Sequence, residues 1–355
     1  MKDQMHRWKV RDGDERNLHQ ILKLRSIVFG EMEEDKLDAR FWKWEFMEGP
    51  DGKALIYIVE EGDEIIGHFS DLSRRFFIHG QIVRGTLSVD LMVHTDYRRK
   101  GIFEEMGRYA IRRVKEDNRL FMTAYPIRPE TIRGFKKLGW KEVMRLPVLV
   151  YPIRFCGIAN RYLHFFPLSL LVGGIARIFY NILFLMRRQK KREEIEIEEV
   201  DQLDDQFEKF WAKASSLFSN IGIRDPNYMT WRYLNHPTRN YTIYRALGKG
   251  EMRGFIILRK VDLLGFNSAA IVDLLALDGD ALTSLVEEGI TFSQREGVDL
   301  LGFMVPETHP YYRLLRKDGF LRSPKAFRFM IYSQEEERLF DPYGWYVTWG
   351  DTDVI

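Results

Sequence analysis

The sequence of 355 residues has almost no cysteine, since Cys156 stands alone. A single cysteine excludes an internal disulfide and any metal site built on cysteine ligands. The eight histidines show no His-x-x-x-His or comparable ligand spacing, so we expect no metal. The segment from Met1 to Trp8 lacks the apolar core of a signal peptide. We therefore expect a cytoplasmic protein.

Neither sign of charge is in excess, because 54 basic residues face 52 acidic ones. This balance gives no reason to expect nucleic acid as a partner. Hydrophobic residues make up 45% of the chain and charged residues 30%, which is the profile of a globular protein. The length suits two domains, each large enough to bury its own core.

Much of the sequence occurs twice. Five residues of the first half recur 187 positions later, namely Asp38, Trp44, Pro50, Tyr57 and Gly67 as Asp225, Trp231, Pro237, Tyr244 and Gly254. A period of this length indicates a duplicated domain and not a solenoid. Residues that both copies keep are expected to serve the fold, and residues that one copy keeps are expected to serve the chemistry. The two tryptophans are therefore predicted to lie in the core.

Each copy has the same predicted order of elements. A helix and a hairpin precede a long strand, a central helix and a short strand that ends at a proline. This order predicts an α+β fold of two tandem domains, each a mixed, mostly antiparallel sheet flanked by helices. We place the domains at 1–152 and 195–335, the linker at 153–194, and an aromatic tail at 336–355.

The linker contains a long apolar stretch, 165–185, followed directly by the basic run 187–192. Arg177 near the middle of the stretch makes a membrane-spanning helix costly. Docking on the two domains is the preferred interpretation. Peripheral contact of 165–192 with a membrane is an alternative, because an apolar helix with a basic flank also suits a lipid surface.

The segment from Val93 to Phe103 carries the strongest functional signal. An apolar strand ends at Val93 and a basic turn, Arg98-Arg99-Lys100, passes through Gly101 into a helix that begins at Ile102. Such a turn collects free N–H groups at a helix N-terminus, where the dipole also favours negative charge. Glycine lets a phosphate approach the backbone, and the basic side chains add charge. The pattern predicts a site for the pyrophosphate of a nucleotide-like cofactor.

This segment, together with the later run Phe135-Lys136-Lys137-Leu138-Gly139-Trp140, resembles motifs A and B of the GNAT superfamily of acyl-CoA-dependent N-acyltransferases. The resemblance covers about residues 10–150, and a weaker one covers about 195–335. It implies a sheet that opens beside the motif-A strand, with the cofactor in the gap. It also implies that amides beside Val93 and His94 bind the thioester carbonyl. The turn from Arg98 to Phe103 would bind the pyrophosphate.

Three positions depart from the family pattern. Phe103 replaces a small residue of the turn, Phe135 replaces a tyrosine that can protonate the leaving thiolate, and Leu87 replaces a glutamate. The usual acid and base are therefore missing. Asp90 on the motif-A strand alternates with Val89, Leu91 and Val93, so its side chain is expected to face the cleft. Asp90, Tyr125 after the short strand, and Glu130 are the catalytic candidates.

The second copy has lost the basic turn. It reads Asp278-Gly279-Asp280 where the first copy has its cations, and it is three residues shorter. Aspartate caps a helix well but repels a pyrophosphate. The second domain is therefore interpreted as a degenerate copy without the cofactor. The aromatic tail is expected to pack as a docked end, and a role in lining an amine pocket is the alternative.

The resemblance thus implies an N-acyltransferase, with acetyl-CoA or another acyl-CoA as co-substrate and no metal. We expect acetyl transfer to the amine of a small molecule or peptide. Two alternatives remain open: a module that binds acyl-CoA without catalysis, and a membrane-peripheral acyltransferase acting on cell-surface or lipid-linked precursors. Transfer of aminoacyl groups from tRNA is disfavoured, since it would need a more basic surface.

Overall fold

The computed structural model describes residues 8–163, 166–185, 194–263 and 265–353. The basic run 187–192 lies outside these residues, as does part of the apolar stretch before it. The elements of the first half of the chain are β1 (Val10–Asp12), α1 (Leu18–Phe29), α2 (Ala39–Met47), β2 (Leu55–Glu61), β3 (Glu64–Ile78), β4 (Gln81–Val93), α3 (Ile102–Glu116), β5 (Met122–Ala124), α4 (Pro129–Lys137), β6 (Lys141–Pro152), α5 (Phe155–Leu163) and α6 (Phe166–Leu185).

The second half repeats much of this order. Its elements are β7 (Glu196–Val200), α7 (Asp205–Ser215), β8 (Asn220–Gly222), α8 (Pro226–Met229), β9 (Thr242–Gly248), β10 (Glu251–Leu263), β11 (Phe266–Ala276), α9 (Gly279–Arg295), β12 (Leu300–Met304), α10 (Pro310–Lys317), β13 (Leu321–Tyr332) and β14 (Trp345–Tyr346).

The chain forms two compact units that do not follow its order. Unit 1 contains Met1–Met144, Ser219–Arg239 and Arg328–Asp341. Unit 2 contains Arg145–Phe218, Asn240–Phe327 and Pro342–Ile355. The boundaries read from the sequence run consecutively along the chain, whereas each unit borrows segments from both halves.

Unit 1 is built on a mixed sheet. β1, β2, β3 and β4 pair antiparallel in that order, and β4 then pairs with β5 in parallel. The outer edge of β5 is covered by residues 330–332 of β13, which run antiparallel to it. One side of α3 packs on this sheet, because Ile102, Met106, Ala110 and Val114 recur every fourth residue and are all buried.

The two equivalent tryptophans meet inside unit 1. Trp44 and Trp231 stack with ring centroids 4.5 Å apart and an angle of 16°. Each indole N–H donates to the backbone carbonyl of the other residue, at 2.9 and 3.1 Å. The pair therefore has local twofold symmetry, as expected where two copies of one ancestral segment contact each other.

Unit 2 has the same kind of sheet. β7, β9, β10 and β11 pair antiparallel, β11 pairs with β12 in parallel, and residues 148–152 of β6 cover the outer edge of β12. α9 packs on it closely, since a Cβ at Gly289 would lie 3.1 Å from Ile256. The predicted fold class, a mixed and mostly antiparallel sheet flanked by helices in each copy, is confirmed.

Candidate active site

β4 and β5 part from each other halfway along β4. Their last register pair is Leu87 with Thr123, although β4 continues to Val93. The register between β3 and β4 shifts by one residue in this region, and Asp90 there has a φ of +55°. A β-bulge of this kind bends its strand and ends regular pairing. It therefore opens a gap between the second half of β4 and β5.

The end of β4 offers a backbone donor to this gap. The amide of His94 donates to the carbonyl of Ile66 in β3, at 2.8 Å, so it is already used. Because adjacent residues of an antiparallel pair alternate in direction, the amide of Val93 points away from β3 and toward the gap. Of the two amides expected to bind a carbonyl, only that of Val93 is available.

The turn after β4 presents unpartnered amides beside the gap. In the described part of the chain, the backbone N–H groups of residues 99–104 donate to no protein acceptor, and Gly101 makes no side-chain cap. Arg99 and Gly101 have φ values of +63° and +82°. A Cβ at Gly101 would meet no atom within 4 Å, so the backbone is open to a ligand.

Three cations surround these amides. Arg98, Arg99 and Lys100 are all exposed. The Lys100 ammonium lies 4.6 Å from the centroid of the Tyr97 ring, and the Lys100 carbonyl accepts a hydrogen bond from the Trp8 indole at 2.8 Å. These contacts tie the turn to the N-terminal segment and hold positive charge where the amides point.

Phe103 does not obstruct the turn. Its ring packs on α4, where a Cβ at Gly134 would lie 2.3 Å from the ring, and it contacts Phe135 with centroids 5.8 Å apart. The large residue is accommodated because glycine at position 134 leaves room for it. The departure from the family pattern at Phe103 is thus compensated on the neighbouring helix, and the turn from Arg98 to Phe103 stays open.

Asp90 is held in a buried ion pair. Its carboxylate contacts the guanidinium of Arg25 on α1, and the two side chains are 5% and 1% exposed. The Asp90 carbonyl lies 3.1 Å from Nδ1 of His68, whose Nε2 lies 3.1 Å from the Ser70 hydroxyl. Burial lowers the pKa of His68 to about 3, helped by the nearby Arg25 charge, so the imidazole is neutral. Sequence alternation pointed Asp90 at the cleft, whereas the bulge turns its side chain against α1.

The other two catalytic candidates lie in different surroundings. Tyr125 directly follows β5, is 7% exposed, and stacks on Phe329 with centroids 5.3 Å apart. Glu130 lies in the first turn of α4 and is exposed to solvent. Tyr125 is therefore at the end of the strand that borders the gap, while Glu130 is on the helix that follows.

A buried carboxyl group was missed in the sequence. Asp71 on β3 accepts hydrogen bonds from the hydroxyls of Ser88 at 2.5 Å, Tyr57 at 3.0 Å and Thr86 at 3.2 Å. Burial raises the pKa of Asp71 to about 6. The alternation of Thr86 and Ser88 on β4 puts both on one face, but only the strand register reveals that Asp71 faces them.

The pKa shifts of Asp71 and His68 have opposite effects on stability. Because the folded-state pKa of Asp71 is raised, the protonated carboxyl contributes to the free energy of unfolding. This contribution is lost as the pH rises from about 4 to about 6. Because the folded-state pKa of His68 is lowered, the neutral imidazole contributes to the free energy of unfolding. This contribution is lost as the pH falls from about 6.5 to about 3. The two slopes oppose each other between about pH 4 and 6.

In unit 2 the equivalent helix N-terminus is already occupied. The Asp278 carboxylate accepts from the amides of Asp280 and Ala281, at 3.0 and 2.9 Å. The same carboxylate pairs with Arg253, whose Nη2 lies 2.7 Å away. A side chain of the protein thus fills the position where unit 1 leaves its amides free.

The end of β11 in unit 2 is covered as well. The Tyr311 hydroxyl accepts from the amide of Ala276 at 2.8 Å and donates to the Ala276 carbonyl at 2.9 Å. Ala276 is the counterpart of Val93. In the tail, the Tyr346 hydroxyl donates to the Leu274 carbonyl, and the Thr348 hydroxyl donates to Asp273 at 3.0 Å. The tail therefore packs against the strand that corresponds to β4.

Among the residues that the structure describes, no cluster of three or more histidine, cysteine, aspartate or glutamate side chains is placed to hold a metal ion. No helix in the same residues is both long and apolar enough to cross a membrane.

A sheet that opens between two parallel strands, beside a helix whose first amides are free, is the arrangement that the resemblance to GNAT N-acyltransferases implies. The family model described as an acetyltransferase (GNAT) domain matches residues 9–143. This segment is therefore a GNAT domain, and the resemblance read from the sequence is confirmed. No curated protein matches the chain at a significant level.

Solved structures with the same fold extend the likeness to most of the chain. A protein of unknown function from Enterococcus faecalis V583, described as a probable N-acyltransferase, is 10% identical with a TM-score of 0.65. A GCN5-related N-acetyltransferase from Anabaena variabilis is 15% identical with a TM-score of 0.63. In both, the match covers 92% of this chain and 72% of the other. N-myristoyltransferase of Saccharomyces cerevisiae, solved with myristoyl-CoA, is 13% identical with a TM-score of 0.60, covering 92% and 79%.

Proposed function

We propose that the protein is an acyl-CoA-dependent N-acyltransferase that moves an acetyl group from acetyl-CoA to a primary amine, with the donor bound by the N-terminal GNAT domain. One observation carries this proposal: the free amides of residues 99–104 stand beside the gap between β4 and β5. The contrast with Asp278, which fills the same position in unit 2, supports a ligand role for these amides.

In this proposal the pyrophosphate of the donor accepts hydrogen bonds from the amides between Arg99 and Phe103. Arg98, Arg99 and Lys100 supply charge, and Gly101 allows close approach. His94 and Ile102 contribute as parts of the backbone that shapes the turn. The amide of Val93 donates a hydrogen bond to the thioester carbonyl oxygen. This hydrogen bond strengthens as negative charge develops on that oxygen.

The reaction needs little further machinery. The amine attacks the thioester carbon, the C–S bond breaks, and the thiolate leaves, so correct orientation supplies most of the acceleration. We assign Tyr125 as the acid that protonates the leaving thiolate, because this residue lies at the end of β5. Glu130 is exposed and can accept the amine proton through water. Asp90, paired with Arg25, holds the shape of β4 at the bulge.

The donor site can be tested by calorimetry with acetyl-CoA on the variant Arg99→Glu/Lys100→Glu. At a separation of about 8 Å in water, each charge reversal opposes a diphosphate of charge about −2 by roughly 2 kcal/mol. Salt at about 0.15 M reduces this to roughly 0.8 kcal/mol per residue. We expect affinity to fall about tenfold, and further at low salt.

Arg112→Glu/Lys115→Glu is the matched control, since it makes the same charge change about 20 Å away along α3. Equal affinity for acetyl-CoA in the test variant and the control would show that the donor binds elsewhere. A protein that binds acetyl-CoA but releases no free thiol with a panel of amines would be a binding module without catalysis.

A further inference from the structure

Helix α6 presents an apolar face to solvent. Six large side chains recur along it at steps of one, three or four residues and are between 43% and 67% exposed: Leu168, Leu171, Ile175, Ile178, Phe179 and Ile182. Side chains at such spacing lie on one side of a helix. A continuous exposed apolar patch of this size marks an interaction surface.

The opposite side of α6 is docked on its own unit. A Cβ at Gly173 would lie 2.7 Å from the backbone nitrogen of Cys156, so α5 approaches as closely as only glycine allows. Two turns later, the Tyr180 hydroxyl donates to the Gly319 carbonyl at 2.8 Å. Arg177 falls between these two positions and shares their side of the helix. The helix is thus fixed with its apolar face outward and its arginine turned away from that face.

The charge of the surrounding sequence indicates which surface this face meets. Residues 143–192 contain nine arginines and lysines but no aspartate or glutamate. With 52 acidic residues in 355, a stretch of this length would on average hold about seven. This segment combines exposed apolar side chains with positive charge and no negative charge. It is complementary to a surface whose outer layer is negatively charged and whose interior is apolar.

We propose that the apolar face of α6 docks the protein on an anionic lipid bilayer, with the helix lying in the plane of the headgroups. The six side chains enter the boundary between headgroups and acyl chains, and Arg177 stays on the aqueous side. At 20 residues the helix lies along about 30 Å of the surface. This inference does not depend on the proposed acyl transfer.

The test is co-sedimentation of the full chain with vesicles, without acyl-CoA. Wild type is mixed with phosphatidylcholine vesicles and with vesicles containing about 30% phosphatidylglycerol, at low salt and at about 0.5 M salt. We expect binding to the anionic vesicles, weakened by salt. Ile175→Glu/Phe179→Glu should lower the partition coefficient at least about tenfold, because two charges would have to enter the apolar boundary.

Ile82→Glu/Leu217→Glu is the matched control, since its two positions are 63% and 59% exposed and those of the test variant are 58% and 67% exposed. It should bind vesicles as wild type does. The proposal is overturned if wild type ignores anionic vesicles or if the Ile175→Glu/Phe179→Glu variant binds them equally. It is also overturned if light scattering finds a dimer that this variant converts to a monomer, because the face would then join two copies of the chain.

Discussion

The buried pair of Arg25 and Asp90 makes a sharp prediction about stability. Replacing Asp90 by asparagine keeps a residue that tolerates the left-handed φ of +55°, so backbone strain changes little. The substitution removes the carboxylate that compensates a guanidinium only 1% exposed. Breaking one partner of such a pair costs about 3–5 kcal/mol. For a unit of this size, that corresponds to a fall in melting temperature of roughly 6–20 °C.

The assay is thermal unfolding followed by circular dichroism, for wild type, Asp90→Asn, Arg25→Met and the double variant. Because removing both charges is far less costly than removing one, the double variant should melt above Asp90→Asn. Asp96→Asn is the control, since Asp96 is 81% exposed, and it should melt as wild type does.

Two results would refute this reasoning. One is a melting temperature for Asp90→Asn within about 2 °C of wild type, which would mean that the pair contributes little. The other is strict additivity of the two single substitutions. Turnover measured well below the melting temperature separates the roles of Asp90: if its carboxylate accepts the amine proton, Asp90→Asn loses turnover while it is still folded.

Three further predictions concern other sites. Gly134→Ala should destabilise unit 1 by about 1–3 kcal/mol, because its Cβ would lie 2.3 Å from the Phe103 ring, and Gly134→Ala/Phe103→Ala should cost less than the sum of the single changes in urea denaturation. Asp71→Asn should make the free energy of unfolding rise more steeply with pH between about 4 and 6, by up to roughly 1.4 kcal/mol per pH unit. Urea denaturation at several pH values that gives the variant and wild type the same pH dependence would contradict this. Asp278→Ala should cost about 1 kcal/mol as a lost helix cap, yet calorimetry should still find one acetyl-CoA per chain, because Tyr311 continues to occupy the end of β11. A second equivalent bound would show that Asp278 alone had closed that site.

Local features of the site could be predicted from the sequence. The strand that ends at Val93, the turn through Gly101 and the helix from Ile102 all rest on short-range patterns of apolar spacing and turn residues. The duplication also allowed the same segment to be compared in two copies. This comparison showed that the second copy has Asp278 where the first copy has cations.

Features that depend on distant contacts could not be predicted. Arg25 was one polar residue on an amphipathic helix, and nothing nearby in the sequence indicates that it reaches Asp90. The bulge on β4 reverses the side of the strand that simple alternation assigns to Asp90. The role of Gly134, which leaves room for the Phe103 ring, likewise depends on the packing of α3 against α4 and is not visible in the sequence.

The interleaved composition of unit 1 affects how the protein can be made. Its first 144 residues are complete long before residues 219–239 and 328–341 have been synthesised. At about 5–20 residues per second, translation of the remaining 197 residues up to Asp341 takes roughly 10–40 s. The partner of β3, β8, is synthesised within the first part of this period, but the partner of β5, β13, follows only near its end. Until then the nascent chain carries an open strand edge that invites wrong pairing. The sheet of unit 1 is therefore completed only after residues 328–341 have been synthesised, and a chain cut at the middle has an unfinished sheet.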